Sequence, residues 1–221
     1  KASDNSVVWE SLNDTVNLLS IVPSQLPINT DLIFMVRYNG AVYGYSDWAS
    51  ETAKTLDIYV KNPTLVVAGS PASVTLTPLL TGSTFEIVNG TDVHLSSDWR
   101  VVRADNGTVV WESLGDTVNL TSINTAQLPK NTDLIFKVRY SSSMYGLSDW
   151  VEVSAKTLDI YVQDPVLTVA GAPDRLTLSP TLSTSAFVIV NGVANHVSSD
   201  WEIRKVSDNS LVWSSIGNTT N

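Results

Sequence analysis

Two histidines, His94 and His196, are the only imidazoles in this 221-residue chain, and there is no cysteine. Proton relays, nucleophile activation and most transition-metal centres need such a group beside a carboxylate. Asp92 stands two residues before His94, but Ala194 takes the equivalent place before His196. A site used at one histidine and lost at the other does not explain both, so the expected role is a loop histidine capping backbone. Glu112 and Asp116 form an acidic pair, yet Ser214 and Asn218 stand 102 residues further on. That exchange reads as solvated surface. No G-x-S-x-G elbow surrounds a serine. The expectation is a chain with no catalytic residues, no metal ligands and no cofactor. One alternative stays open: Asp57, Asp159 and Asp164 sit where oxygen ligands would let Ca²⁺ stiffen module junctions. Against it, Asn62 stands where Asp164 recurs, and no D-x-D-x-D run exists.

The tryptophans offer another chemistry, stacking on sugars. They recur as Trp9, Trp111 and Trp213, as Trp48 and Trp150, and as Trp99 and Trp201. Packing in a core or over a sheet edge is the expected use of so large an apolar side chain. Asn13, Asn89, Asn106, Asn119 and Asn218 open N-x-S/T triplets, but at five different places in the repeat described below, so glycosylation is not inferred.

The elements that would position these residues are β-strands. Hydrophobic residues make up 43% and charged residues 16%, a globular balance rather than a disordered one. Net charge is −9, and Lys and Arg form no basic stripe, so nucleic-acid binding is not expected. Without disulfides the fold must rest on packed cores, which seven Trp and seven Tyr can help to fill. No apolar run is long enough to span a membrane as a helix.

The chain also repeats itself. At an offset of 102 residues it aligns with itself without a gap and with roughly 55% identity. Residues 53–60 (AKTLDIYV) return unchanged as 155–162, and IVNG and SSDW at 87–90 and 96–99 return at 189–192 and 198–201. A constant register that keeps even the loop lengths suits a row of equivalent modules better than a single active site. Lys61-Asn62-Pro63 and Gln163-Asp164-Pro165 read as the seams, because proline does not continue a strand ladder. The expected division is 1–62 as the back part of one module, 63–164 as a whole module, and 165–221 as the front part of a third.

Within the whole module, strands are expected at residues 65–68, around Phe85 and Ile87, at 94–102 with Trp99 and Val101 inward, and at 109–111. Asp105-Asn106-Gly107-Thr108 reads as a tight Asn-Gly hairpin. Residues 127–150, QLPKNTDLIFKVRYSSSMYGLSDW, supply a corner, an alternating strand and a polar tip. Leu134, Phe136, Val138 and Tyr140 fall on one face, and Ile135, Lys137 and Arg139 on the other. Met35 replaces Lys137 in the other copy, which marks that second face as outward. Seven short strands in about 100 residues, with no helical stripe, predict an all-β chain of antiparallel β-sandwiches.

The corner-to-tryptophan stretch resembles fibronectin type III domains. In that family a Leu-Pro-x-Thr corner precedes an alternating strand ending in Arg, and the next strand opens near Ser-Asp-Trp. Leu26-Pro27, Thr30, Arg37 and Ser46-Asp47-Trp48 follow the pattern, as do Leu128-Pro129, Thr132, Arg139 and Ser148-Asp149-Trp150. Leu32 and Leu134 stand where the family carries its corner tyrosine. More loosely, the Phe, Asn-Gly, His and Ser-Ser-Asp-Trp pattern is similar to modules strung together in phage virion proteins and giant bacterial surface proteins. The resemblance implies a fibronectin type III-like tandem repeat in an extracellular, cell-surface or virion structural element, acting as a stiff spacer. Its partners would be neighbouring modules or copies, head to tail, with no membrane insertion. The alternative is an adhesin module that binds a cell-surface protein or glycan. Its contact tip would be Asn39, Gly40, Ala41 and Val42 in one copy, and Ser141, Ser142, Ser143 and Met144 in the next.

Overall fold

A computed structural model describes residues 1–71, 74–173 and 176–219. Every regular element among them is a β-strand, and every pairing is antiparallel. The chain forms two compact units, Lys1–Pro129 with Asp133–Lys156, and Lys130–Thr132 with Thr157–Asn221.

The first unit opens with β1 (Asp31–Val36), β2 (Asn39–Gly40), β3 (Gly44–Tyr45) and β4 (Ala49–Lys54). β1 pairs with β4, and β2 with β3. Then come β5 (Tyr59–Val60), β6 (Leu65–Val67), β7 (Leu79–Gly82), β8 (Ile87–Val88), β9 (His94–Arg103) and β10 (Val109–Asp116). β11 (Ser122–Asn124), β12 (Asp133–Ser142), β13 (Gly146–Leu147) and β14 (Val151–Lys156) complete the unit. One sheet runs β10-β9-β12, with β13 and β14 both paired to β12, and another runs β11-β7-β6. β5 and β8 pair with each other.

These sheets share one core. Trp99 and Val101 of β9 and Leu134, Phe136, Val138 and Tyr140 of β12 cluster with Val60, Leu65, Val67, Leu80 and Ile87. The alternation on β12 is therefore realised, with its inner residues wholly buried and Ile135, Lys137 and Arg139 half-buried on the other face. On that outer face Lys137 meets Glu152 at 2.6 Å and Arg100 meets Glu112 at 2.9 Å, across neighbouring strands. The arrangement is compatible with a β-sandwich. We call this part of the first unit, Tyr59 to Pro129 with Asp133 to Lys156, the central body.

Several elements differ from the sequence expectation. β7 is not signalled by any alternation, and Phe85 lies in the connection before β8 rather than in a strand. The Asn-Gly hairpin is longer than a two-residue turn. Arg103 N donates to Thr108 O, Gly107 N donates to Arg103 O, and only Gly107 takes the left-handed conformation, at φ 71°. Asn106 instead accepts from Thr108 N through its side chain at 2.9 Å, so the loop closes as a four-residue connection. Tyr59–Val60 pairs forward with Ile87–Val88, and a Cβ on Gly90 would lie 2.9 Å from Ile58 Cγ2. Residues 61–63 thus join two strands of the same body.

At the corner before β12, Asn131 takes φ 49° and Thr132 Oγ1 donates to Lys130 O at 2.8 Å. Where a corner tyrosine would stand, Leu134 is buried. A threonine hydroxyl ties the equivalent corner before β1: Thr55 Oγ1 donates to Pro27 O at 2.6 Å and accepts from Thr30 N at 2.9 Å.

In the second unit β15 (Tyr161–Val162) pairs with β18 (Ile189–Val190), and β16 (Leu167–Val169) pairs with β17 (Leu182–Thr184). β19 (Ser199–Arg204) pairs with β20 (Leu211–Asn218). These pairs match β5 with β8, β6 with β7 and β9 with β10, each 102 residues earlier. Strand length follows pairing. β12 and β9 have 10 residues each, paired on both edges, whereas β1 and β19 have 6 each, paired on one.

Phe136→Ala should cost about 3–5 kcal/mol, since it empties a closed core position. Lys137→Ala, one residue along on the outer face, loses only a surface ion pair and should cost under about 1 kcal/mol. Urea unfolding of both variants checks the register, and equal losses would contradict it.

Candidate functional site

The tip after β12 is built from its last two residues. Ser141 pairs with Leu147 and Ser142 with Gly146, whose φ of 78° lets the chain reverse. Asp92, on the connection between β8 and β9, holds this tip. Its carboxylate accepts from Ser142 Oγ, from Ser143 Oγ at 2.6 Å and from Met144 N at 2.8 Å. Those hydrogen bonds, chiefly from the two serines, keep its pKa far below the usual carboxylate range. A carboxylate so saturated with donors is a structural tie rather than a base.

Of the expected contact residues, Ser142 is buried and Ser141 half-buried, whereas Ser143 and Met144 are exposed. Leu147, also exposed, adds to the apolar part of the tip. The other tip belongs to a separate hairpin, in which Asn39 pairs with Tyr45 and Gly40 with Gly44. There Asn39, Gly40, Ala41 and Val42 are all exposed. Among the described residues no carboxylate ties them.

His94 is not a loop cap. It lies on β9, its ring stacked on Phe85 at a centroid distance of 4.6 Å and tilted against Tyr140 at 4.4 Å. Its Nε2 lies 2.9 Å from Ser97 Oγ, which in turn donates to Leu120 O. Partial burial lowers its pKa, favouring the neutral ring. His196 repeats the arrangement, stacked on Phe187 at 4.6 Å with Ser199 Oγ at 2.9 Å. Nothing in sequence spacing announces a stack that draws on three separate segments.

The acidic pair Glu112 and Asp116 is likewise occupied. Asp116 is separate from Glu112, which pairs with Arg100. It clamps the loop after β10, accepting from Ser113 Oγ at 2.9 Å, Val118 N at 2.9 Å, Asn119 N at 2.7 Å and Asn119 Nδ2 at 3.0 Å. Asp14 makes the same four bonds with Ser11, Val16 and Asn17. The signal was present in the sequence, as SLNDTVN at 11–17 and SLGDTVN at 113–119. An Asp three residues before an Asn is suited to such side-chain-to-backbone turns. Among the described residues no three His, Cys, Asp or Glu side chains converge as a metal site.

Trp99 is buried, and its Nε1 donates to Asn119 O at 2.9 Å. Trp150 covers the outer sheet face, with the Arg139 guanidinium 4.6 Å and that of Arg100 5.4 Å from its ring. Arg139 also donates to the well-buried Asp98 at 2.8 Å, and Asp98 accepts from Gly115 N at 2.6 Å. This linked set braces β9, β10 and β12. What the surface offers is a pinned tip with exposed apolar side chains, suited to contact.

Two predictions follow from the carboxylates. Hydrogen bonding from Asn119 and its neighbours lowers Asp116 from 3.8 to about 2. Its stabilising contribution is complete above 3.8 and is lost as the pH falls through about 2. Asp116→Asn should remove that part of the acid dependence in thermal melts. Asp92→Ala should accelerate hydrogen exchange at the Met144 amide while leaving the β9 and β12 amides protected; an unchanged Met144 rate would refute the tie. No protein-family model and no curated protein matches this chain.

Proposed function

We propose that the chain is a length of a tandem array of fibronectin type III-like β-sandwich modules, serving as a stiff, non-catalytic spacer in an extracellular, cell-surface or virion structure. One observation carries this reading: sequence and paired strands recur together at an offset of 102 residues, without a gap. Equivalent modules that recur at a constant spacing along the chain add a fixed length each. The net charge of −9 keeps such an array soluble and discourages lateral association. The acidic, cysteine-free composition suits a surface that excludes nucleic acid.

A second reading rests on the tip. Met144 and Leu147 are exposed on a turn fixed by Asp92, and the other copy carries Asn39-Gly40-Ala41-Val42 instead. A fixed loop of changing composition is what an adhesin uses for contact.

Small-angle scattering separates the readings. Inserting one further 102-residue repeat should lengthen a spacer by about 30–40 Å, one strand length with its loops. Growth approaching a square-root law would mean flexible linkage and would reject the spacer. Retention on a protein or glycan array that Met144→Lys abolishes would establish the adhesin instead.

A further inference from the structure

The chain holds four Asn-Gly pairs, opening at Asn39, Asn89, Asn106 and Asn191. Such a pair carries chemistry of its own, because the glycine nitrogen can attack the asparagine amide carbon with no side chain in the way. The structure separates the pairs by what holds each asparagine. Asn89 takes φ 57°, and its Nδ2 donates to Asp57 O at 3.0 Å. A Cβ on Gly90 would meet Ile58 Cγ2 at 2.9 Å, so the following residue is packed as well. Asn191 and Gly192 repeat both features, with Asp159 O at 3.0 Å and Ile160 Cγ2 at 2.8 Å. In these two pairs the group that would leave is tied, and the peptide has no room to swing round.

Asn106, exposed on the loop between β9 and β10, is bonded the other way round. Its Oδ1 accepts from Thr108 N at 2.9 Å, while its Nδ2 has no partner among the described residues. That bond folds the side chain around the Gly107 nitrogen. It also sets an N–H on the oxygen that turns negative when the amide carbon is attacked. A Cβ at Gly107 would find nothing within 4 Å, so the space beside the turn is open. One bond, from Gly107 N to Arg103 O at 2.9 Å, has to open first, and an exposed loop opens at small cost. The other two copies show the same turn closed on an aspartate. Asp4 and Asp208 stand where Asn106 recurs, and Asn5 and Asn209 where Gly107 does. Asp4 accepts from Ser6 N at 2.8 Å and Asp208 from Ser210 N at 3.0 Å, as Asn106 does from Thr108 N. Asn5 and Asn209 take φ 55° and 58°, beside 71° at Gly107, and their amides bond Lys1 O and Lys205 O in the same manner.

We propose that Asn106 is a self-modification site, converted to aspartate through a succinimide closed by Gly107. Gly107 N forms a bond to Asn106 Cγ, and Nδ2 leaves as ammonia with the proton that Gly107 N gives up. Water then adds at Cγ and breaks the new C–N bond, which restores the Gly107 N–H and leaves a side-chain carboxylate. Water adding at the Asn106 main-chain carbonyl yields isoaspartate instead, with one more carbon in the backbone. Water is the only co-reactant. The aspartate product keeps the turn closed, as Asp4 and Asp208 do, and adds one negative charge to an acidic chain. Asn39-Gly40 has no such internal comparison, since Ser141-Ser142 replaces it in the next copy.

Peptide mapping by mass spectrometry on the full chain, incubated at mildly alkaline pH, tests the proposal. Asn106 should change from amide to acid at least about tenfold faster than Asn89, whose peptide opens only with its packed surroundings. The rate should rise with hydroxide, because the attacking nitrogen must lose its proton. In urea the two asparagines should convert alike. Gly107→Asn installs the residue of the other copies, so the turn is retained, and it should slow conversion at least about tenfold by crowding the attacking nitrogen. Asn106→Asp, the finished product, should melt with the wild type. An Asn106 that stays an amide, or converts no faster than Asn89, would overturn the proposal. So would a difference that persists in urea, a rate indifferent to Gly107→Asn, or a lowered melting temperature for Asn106→Asp.

Discussion

The Tyr140 phenol ties the two sheets of the central body together. It leaves β12 on the inner face, passes over Gly82 and donates to Ser83 O at 2.6 Å on the facing side. Burial pushes its pKa up to about 12, so it remains a donor at any ordinary pH. A buried hydroxyl with one fixed acceptor sets both the separation of the sheets and the level at which they meet. Glycine at position 82 is required sterically, because any Cβ there would occupy the space of the hydroxyl. With Tyr140 placed, Val138, Phe136 and Leu134 fall into the core in turn, and β9 and β14 are held on either side.

The contrast between β12 and β1 shows what supplies burial. Over six residues they differ only at Lys137 and Met35, so local propensity and alternation are the same. Yet Phe136 is closed off and Phe34 is open. The difference is tertiary: among the described residues β12 is paired on both edges, with β9 on the second, and β1 is paired on one edge alone. Alternation indicates which face will be buried once a partner arrives, and pairing decides whether it is buried.

This contrast also explains how much could be read from the sequence. The β12 register was legible because period two over eight residues leaves one consistent face, and the Met-for-Lys exchange identified the other. The all-β class followed from the same signal. β7 was hidden because Pro78 and Gly82 interrupt any alternation in its short run. The length of the Arg103–Thr108 loop was misread because Asn-Gly marks a reversal without fixing its size. The direction of Tyr59–Val60 was not legible, since a proline ends a strand whichever sheet that strand joins. For the candidate site, long-range geometry was missing. Asp92 looks like a partner for His94 two residues away, but it reaches Ser142, Ser143 and Met144 about fifty residues on, while His94 turns to Phe85 and Tyr140.

A chain made of near-copies has a selection problem that other folds do not. β1 and β12 present almost the same strand, with Tyr38 two residues past the end of β1 where Tyr140 lies within β12, so either would suit the edge of β9. Like strands with open edges are prone to exchange between molecules and to unwanted pairing. Connectivity favours β12, which follows β9 within the same unit and closes onto it at an effective concentration that no second molecule reaches. The small differences between copies sharpen the choice. Lys137 meets Glu152 on the outer face, where Met35 offers no charge, and Gly82 leaves room for the Tyr140 phenol. The best-fitting surface of the central body is thereby matched to the strand of its own unit. Most of the sequence can then repeat while each body still assembles from its own strands, and the burden of discrimination falls on a few side chains at the strand edges and one glycine.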